Sequence, residues 1–244
     1  MYSWLPPSIV STLIVILLIV AMALTILFRK LTPPAALTAG IVGWIIYSGG
    51  GLTGLLLLSA FFLLGTLATA WRREEKDKLE PQDPHPQQRT PGQVLANAGV
   101  AQALALLVGI FPAHIHLLQM MLAASFAAAT ADTLASELGT VYGRRFFNCL
   151  TWKPDTKGLD GVISLEGTLI GIGGACVIAL IYGARTGWTR DCILIVIAGA
   201  IGNLADSILG AALERKGRMS NNGVNFLSVA IAALAAGALR LVLG

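Results

Sequence analysis

The chain has 244 residues, of which 55% are hydrophobic and 12% charged, with a formal net charge of +4. Soluble domains carry roughly twice that charged fraction, which excludes an ordinary soluble enzyme, and a pI near 9.1 reads as loop charge that sets membrane topology rather than as a nucleic-acid surface. Cys149, Cys176 and Cys192 lie far apart without a CxxC pair, so neither a disulfide framework nor a zinc site is indicated.

A spanning helix needs about 20 mostly apolar residues, and 9–28 meets that alone with no internal charge. No Lys or Arg precedes it and a basic pair, Arg29-Lys30, follows it, which marks a retained first helix rather than a cleaved leader. Further segments are expected at 35–47, 52–71, 93–111, 117–138, 165–184, 192–213 and 224–243. The fold class is therefore all-α, a polytopic helical membrane protein with about eight transmembrane helices. Seven stays open because 35–47 is short and flanked by Pro33-Pro34 and Gly49–Gly51.

With the N-terminus outside, the inner segments hold fourteen of the seventeen basic residues and the outer ones only Arg185, Arg190 and Arg240. That bias places the inner face in the cytoplasm. Residues 72–91 form a proline-punctuated linker whose five basic and five acidic residues cancel, a solvated hinge by composition. It divides the chain into an N-terminal three-helix part (1–71), the linker (72–91) and a C-terminal five-helix part (92–244) that holds the chemically capable residues. His85 falls in the linker and His114 and His116 in an outer turn, so no Ser–His–acid or His–metal arrangement is suggested. Trp44, Trp71, Trp152 and Trp188 read as interface anchors.

Acids inside spanning helices cost about 2.5–3.5 kcal/mol each at the bilayer centre and are functional candidates by default. Asp132 and Glu137 interrupt the helix at 117–138, and Asp206 and Glu214 lie on or at the end of the one at 192–213. Asp132 and Ser136 are i,i+4, while Asn203, Asp206 and Ser207 share a face, so each helix presents an acid beside a neutral hydrogen-bonding group. Two such helices face to face would make an oxygen-rich pocket suited to Mg2+. The strings Ala131-Asp132-Thr133-Leu134 and Ala205-Asp206-Ser207-Ile208 also resemble one another, and each is followed by a basic pair, as in a parallel internal repeat.

The inner loop 139–164 supplies Arg144, Arg145, Lys153 and Lys157 for phosphates, with Asp160 and Ser164 beside them and Gly158 and Gly161 allowing close backbone approach. Its spacing matches no P-loop or GxGxxG pattern. Ser220-Asn221-Asn222-Gly223-Val224-Asn225 leads into the last helix, where one asparagine is expected to cap. Asn97, Asp132, Asn203, Asp206 and Asn225 fall at a similar membrane depth.

Five ordered strings, QVLANAG (93–99), ATADTLASELG (129–139), KGLDGVISLEGT (157–168), GNLADSILGA (202–211) and NNGVNFLS (221–228), resemble the integral membrane family that contains plant and cyanobacterial phytyl-phosphate kinases and the animal transmembrane-protein-nineteen group. One departure is at 158–164, where GLDGVIS stands in place of the family's GT-[N/D]-GG-V-S. The resemblance implies phosphorylation of a prenyl monophosphate such as phytyl phosphate to its diphosphate by a nucleoside triphosphate, CTP, with Mg2+, in isoprenoid metabolism of the tocopherol type.

On that reading Asp132 and Asp206, with Glu137, bind metal and carry catalysis, Lys157, Arg144 and Arg145 hold phosphates, and Asn97, Asn203, Asn221, Asn222 and Asn225 orient substrate or nucleotide, with Ser136, Ser207, Asp160 and Ser164 beside them. The partners are then the prenyl phosphate, CTP and membrane lipid, with no nucleic acid; a homo-oligomer is left open, as is the choice of plasma or thylakoid membrane. Two other readings fit the same residues: a lipid or ion-coupled transporter or flippase using the acids as ion sites, and a cytidylyltransferase on a lipid phosphate.

Overall fold

A computed structural model describes residues 7–77 and 88–243. The long apolar runs become helices α1 (Pro7–Leu27), α2 (Pro33–Ala70), α4 (Pro91–Ile110), α5 (Ile115–Tyr142), α6 (Leu165–Thr186), α7 (Arg190–Leu209) and α8 (Asn221–Leu243), with a short α3 (Arg73–Asp77) after α2. Hydroxyl caps start several of them, as orphan N–H groups require. Thr32 accepts from Ala35 N at the Pro-Pro start of α2, Thr90 and Gln93 form a capping box on α4, and Thr189 opens α7. Ser220, rather than an asparagine, opens α8, its hydroxyl and carbonyl both accepting from Gly223 N.

Among the described residues seven helices are long and apolar enough to cross a membrane, and α2 is the one that needs explanation. At Gly51 its backbone takes φ 61, ψ −157, a region open essentially to glycine alone, and the chain folds back on itself. A Cβ on Gly54 would stand 3.1 Å from the Ile46 carbonyl oxygen, and one on Gly43 would touch Leu58; in a continuous helix residues eight apart lie roughly 12 Å from one another. The far ends meet as well: Arg89 N donates to the Lys30 carbonyl just before α2, while its guanidinium lies over the Phe61 and Phe62 rings near the end of α2. The arms 33–50 and 52–70 are thus an antiparallel hairpin, so the seven long helices of the described residues give eight rods. The short segment at 35–47 is its first arm.

The reversal sits against α4 and α5. Gln119 Nε2 donates to the Gly49 carbonyl at 3.0 Å, replacing a helical bond lost at the break. A Cβ on Gly49 would overlap the Ala105 carbonyl, whereas one on Gly51 would meet nothing within 4 Å. Gly49→Ala should therefore destabilise by about 3 kcal/mol through backbone overlap, and Gly51→Ala by about 1–2 kcal/mol through strain alone. Melting temperatures in detergent check this, and the reverse order would refute the close contact of hairpin and α4.

Helix α5 is the centre of the bundle. Its stretch from Ala123 to Ala131, small residues apart from Phe126, is buried throughout, letting α2, α4, α6, α7 and α8 pack closely around it. The core is continuous from α2 to α8, so the parts 1–71 and 92–244 share one interior. Helices α5 and α7, which carry the two similar strings, pack directly on one another. Between α5 and α6 the chain forms a small ribbon, β1 (Phe147–Asn148) antiparallel to β2 (Val162–Ile163), with Phe147 opposite Ile163. The sequence predicts only a loop over 139–164.

The linker is in part docked. Lys76 is 6% exposed, donates to the Ala68 and Thr69 carbonyls at the end of α2, and pairs with Glu137 at 2.5 Å. Composition had marked this stretch as solvated; here a cation closes the end of α2, where unpaired carbonyls favour it. Residues 78–87, including His85, lie outside the described residues.

Candidate functional site

Where α5 and α7 cross near the basic face, the Asp132 and Asp206 side chains come within hydrogen-bonding reach of one another. Close crossings put them there. Gly171 of α6 leaves room for the Ala131 carbonyl and the Asn203 amide, and Gly202 of α7 leaves room for Ala128 and the Ser228 carbonyl. Ser228 is buried beside Asp206, but its hydroxyl donates to the Asn225 carbonyl at 2.9 Å. Asp206 Oδ2 is buried without a hydrogen-bond partner. A buried carboxylate oxygen left unpaired is costly, and its chemistry is that of an acceptor for a cation or a ligand proton.

The loop between β1 and β2 delivers another acid. Gly158 and Gly161 have φ +89 and +72, and a Cβ on Gly161 would stand 2.6 Å from both Ala211 N and the Ser207 carbonyl oxygen. The loop thus presses onto the end of α7, assisted by the Cys149 thiol, which donates to the Ser207 carbonyl at 3.1 Å. Asp160 then lies close enough to Asp206 and Glu214 for their charges to interact. Burial raises the Asp160 carboxyl above its ordinary pKa, and the Arg215 charge opposes that rise. The other end of the loop is tethered by Arg215, whose Nη1 donates to Asp155 Oδ2 at 2.6 Å; this bond, with Thr156 N–H, holds Asp155 down to about 2.

Glu137 does not join the acids, although the sequence reading grouped it with them for metal binding. It is five residues from Asp132, which is about 140° around a helix, so it faces α2. There Thr69 donates to its Oε1 at 2.7 Å, Lys76 holds its Oε2, and Thr133, one turn earlier, lies beside Gly65. Several other candidates are spent locally. Ser164 caps α6 by accepting from Gly167 N at 3.1 Å, Ser207 donates to the Asn203 carbonyl, Asn97 donates to the Gln93 carbonyl of its own helix, and Ser136 is exposed with its carbonyl accepting from Thr140.

The asparagines divide between contacts. Asn203 is buried toward α6, Asn222 stands against Gly92 of α4, and Asn225 Nδ2 donates to Asn221 Oδ1 at 3.4 Å. Asn221 also reaches Glu214. Among the basic residues, Lys157 lies over the Phe146 ring at 6.0 Å, while Arg144 and Arg145 line a shallow recess of about 450 Å³ with Phe147, Leu165 and Glu166. Arg144 N donates to Glu166 Oε2. Depth and residue type point to Asp132 and Asp206; Glu214, at the helix end where an acid can reach interfacial water, is not among the sequence-predicted site residues.

Among the described residues no three of His, Cys, Asp and Glu converge closely enough to hold a metal ion by themselves. Two facing carboxylates with one unpartnered oxygen are nonetheless the donor set Mg2+ uses when phosphates and water complete its shell, so the residues present fit a metal–nucleotide complex.

The family model described as "Integral membrane protein DUF92" matches residues 14–233. Relatives include the uncharacterized membrane protein MJ0933 of Methanocaldococcus jannaschii, 33% identical over 92% of each chain, and the uncharacterized membrane protein sll0875 of Synechocystis, 31% identical over 95% of this chain and 90% of the relative. Protein VTE6, chloroplastic, of Arabidopsis thaliana is 28% identical over 90% of this chain and 68% of its own. No solved structure matches significantly.

Proposed function

Since this chain belongs to the integral membrane protein family DUF92, we propose that it is a membrane-embedded kinase that transfers a phosphoryl group from CTP to a prenyl monophosphate of the phytyl phosphate type. The resemblance of its five motifs to the phytyl-phosphate kinases and its 28% identity to the chloroplast protein VTE6 support a prenyl-phosphate substrate. One observation carries the reading: the facing pair Asp132 and Asp206, with Asp206 Oδ2 unpartnered, at the boundary between an apolar bundle and a basic loop.

The prenyl chain lies among the apolar helices, which puts its phosphate at that boundary. An oxygen of the lipid phosphate attacks the γ-phosphorus of CTP, the bond from that phosphorus to the β-phosphate oxygen breaks, and lipid diphosphate and CDP are released. Such a transfer asks mainly for positioning and charge neutralisation. Mg2+ held by Asp132 and Asp206 would supply the neutralising charge on the phosphates. Arg144, Arg145 and Lys157 hold phosphate oxygens, and Asn221, Asn222 and Asn225 orient the nucleotide or lipid head. The bias of basic residues toward this side supports a cytoplasmic active face.

The detergent-purified full chain, given phytyl phosphate, Mg2+ and CTP, should yield phytyl diphosphate and CDP. Pyrophosphate with a CDP-lipid would replace the kinase by a cytidylyltransferase. No nucleotide consumption across a panel of lipid phosphates and alcohols with each nucleoside triphosphate would overturn the reading in favour of transport.

A further inference from the structure

Helix α7 does not end as an α-helix. Residues Gly210–Glu214 form a π turn, with Arg215 N donating to the Gly210 carbonyl five residues back at 3.0 Å and Arg218 N to the Leu213 carbonyl at 2.9 Å. In an α-helix a residue eight positions after Asp206 sits about 80° around the axis from it. The wider turn rotates less per residue and takes up most of that offset, as a one-residue insertion does, and such turns recur at functional sites. Glu214 comes back to the Asp206 side, close enough to Asp132, Asp206 and Asp160 for their charges to interact, and within hydrogen-bonding reach of Asn221 on α8.

Among the described residues Glu214 has no ion-pair partner, while its neighbour Arg215 pairs with Asp155. The π turn also receives the Asp160 loop: a Cβ on Gly210 would stand 3.3 Å from Gly161 N and 3.6 Å from Asp160 Cβ. An acid whose charge is felt by three others either takes up a proton or gains from a cation or its bound water between them. Asp206, one of these acids, keeps its buried Oδ2 without a hydrogen-bond partner.

We propose that Glu214, swung into place by the π turn, is a positioning residue that holds a water of the cation bound at Asp132 and Asp206. This rests on the metal-dependent kinase reading above, and it adds an acid to the outer shell of that site. Outer-shell partners of this sort typically change metal affinity 10–100-fold when removed. An uncharged Gln at 214 keeps the shape and loses the acceptor charge; Asp keeps the charge on a shorter arm.

Mn2+ binding to the full chain in detergent, followed by electron paramagnetic resonance without nucleotide or lipid, tests this directly. Glu214→Gln should weaken Mn2+ binding about tenfold, Glu214→Asp should recover at least part of the loss, and Asn221→Ala should show a smaller shift in the same direction. In turnover, Glu214→Gln should raise the Mg2+ concentration giving half-maximal rate by a similar factor, with the rate at saturating Mg2+ within about threefold of wild type. A circular dichroism melt accompanies each variant, and for any that does not fold Asn221→Ala carries the test. If Mn2+ binding is abolished by Asp132→Asn yet unchanged within twofold by Glu214→Gln, the inference fails while the metal site stands. If Glu214→Gln weakens Mn2+ binding but no lipid phosphate is ever phosphorylated, the inference holds and the kinase reading falls.

Discussion

Asp206→Asn should lower turnover of the lipid phosphate by at least about 10³-fold, and the protein should fold as well as before or better. Transition-state charge stabilisation in phosphoryl transfer is worth about 10³–10⁵ in rate where a single charged partner supplies it. Among the described residues Asp206 Oδ2 is the one buried side-chain oxygen without a hydrogen-bond partner, so an amide at 206 removes the acceptor charge where the geometry leaves it free for a ligand. In the metal-free protein the same change relieves two facing carboxylates and gives Asp132 an N–H donor, a gain of about 1 kcal/mol. Activity and stability are expected to move in opposite directions, as they do where a site carries unfavourable interactions for the sake of function. Asp132→Asn should behave alike. Rates with CTP and phytyl phosphate, set beside melting curves in EDTA, give both readings, and activity within tenfold of wild type in either variant would remove the pair from the reaction.

The acid pair was legible because its signal is local and energetic. A carboxylate within an apolar helix stands out against the cost of putting it there, and the matching strings around Asp132 and Asp206 hinted at a common depth before any packing was known. The hairpin in α2 was legible for a similar reason, since Pro33-Pro34 and Gly49–Gly51 bracket its first arm. Grouping Glu137 with Asp132 failed on a point that helical geometry already contains: a separation of five residues turns the second acid away from the first. Which neighbour lay on each side required the packing. The π turn and the β1–β2 ribbon left no local mark, because both are set by the docking of Gly161 on α7 rather than by propensity. Lys76 shows the same limit from the other side. It sits in a stretch as charged as any solvated linker, close to the similar Lys78, and only the end of α2 and Glu137 decide that it is buried.

That burial has a measurable consequence. Removing one partner of a buried ion pair costs about 3–5 kcal/mol because the other charge is left without compensation. The Lys76 side chain is 6% exposed and that of Glu137 19%, so Glu137→Ala should fall near the lower end, about 3 kcal/mol. Its Lys76 ammonium would keep the Ala68 and Thr69 carbonyls, but it would lose its counter-charge in a site walled by apolar helices. Lys76→Met keeps the packed stem and removes the charge, leaving Glu137 with its Thr69 hydrogen bond and nearer water; a loss of about 1–2 kcal/mol is expected. Combining the two changes should cost clearly less than their sum, with a coupling of about 2 kcal/mol, because the second substitution removes a charge the first has stranded. Melting in detergent at fixed salt measures all three. Turnover of the folded fraction should stay within a few-fold of wild type in each, since Glu137 faces α2 and the acid pair lies between α5 and α7. Simple additivity would show that Lys76 and Glu137 are solvated independently and that the linker is not fastened to the bundle, whereas a large loss of turnover in folded Glu137→Ala would return that acid to the reaction centre.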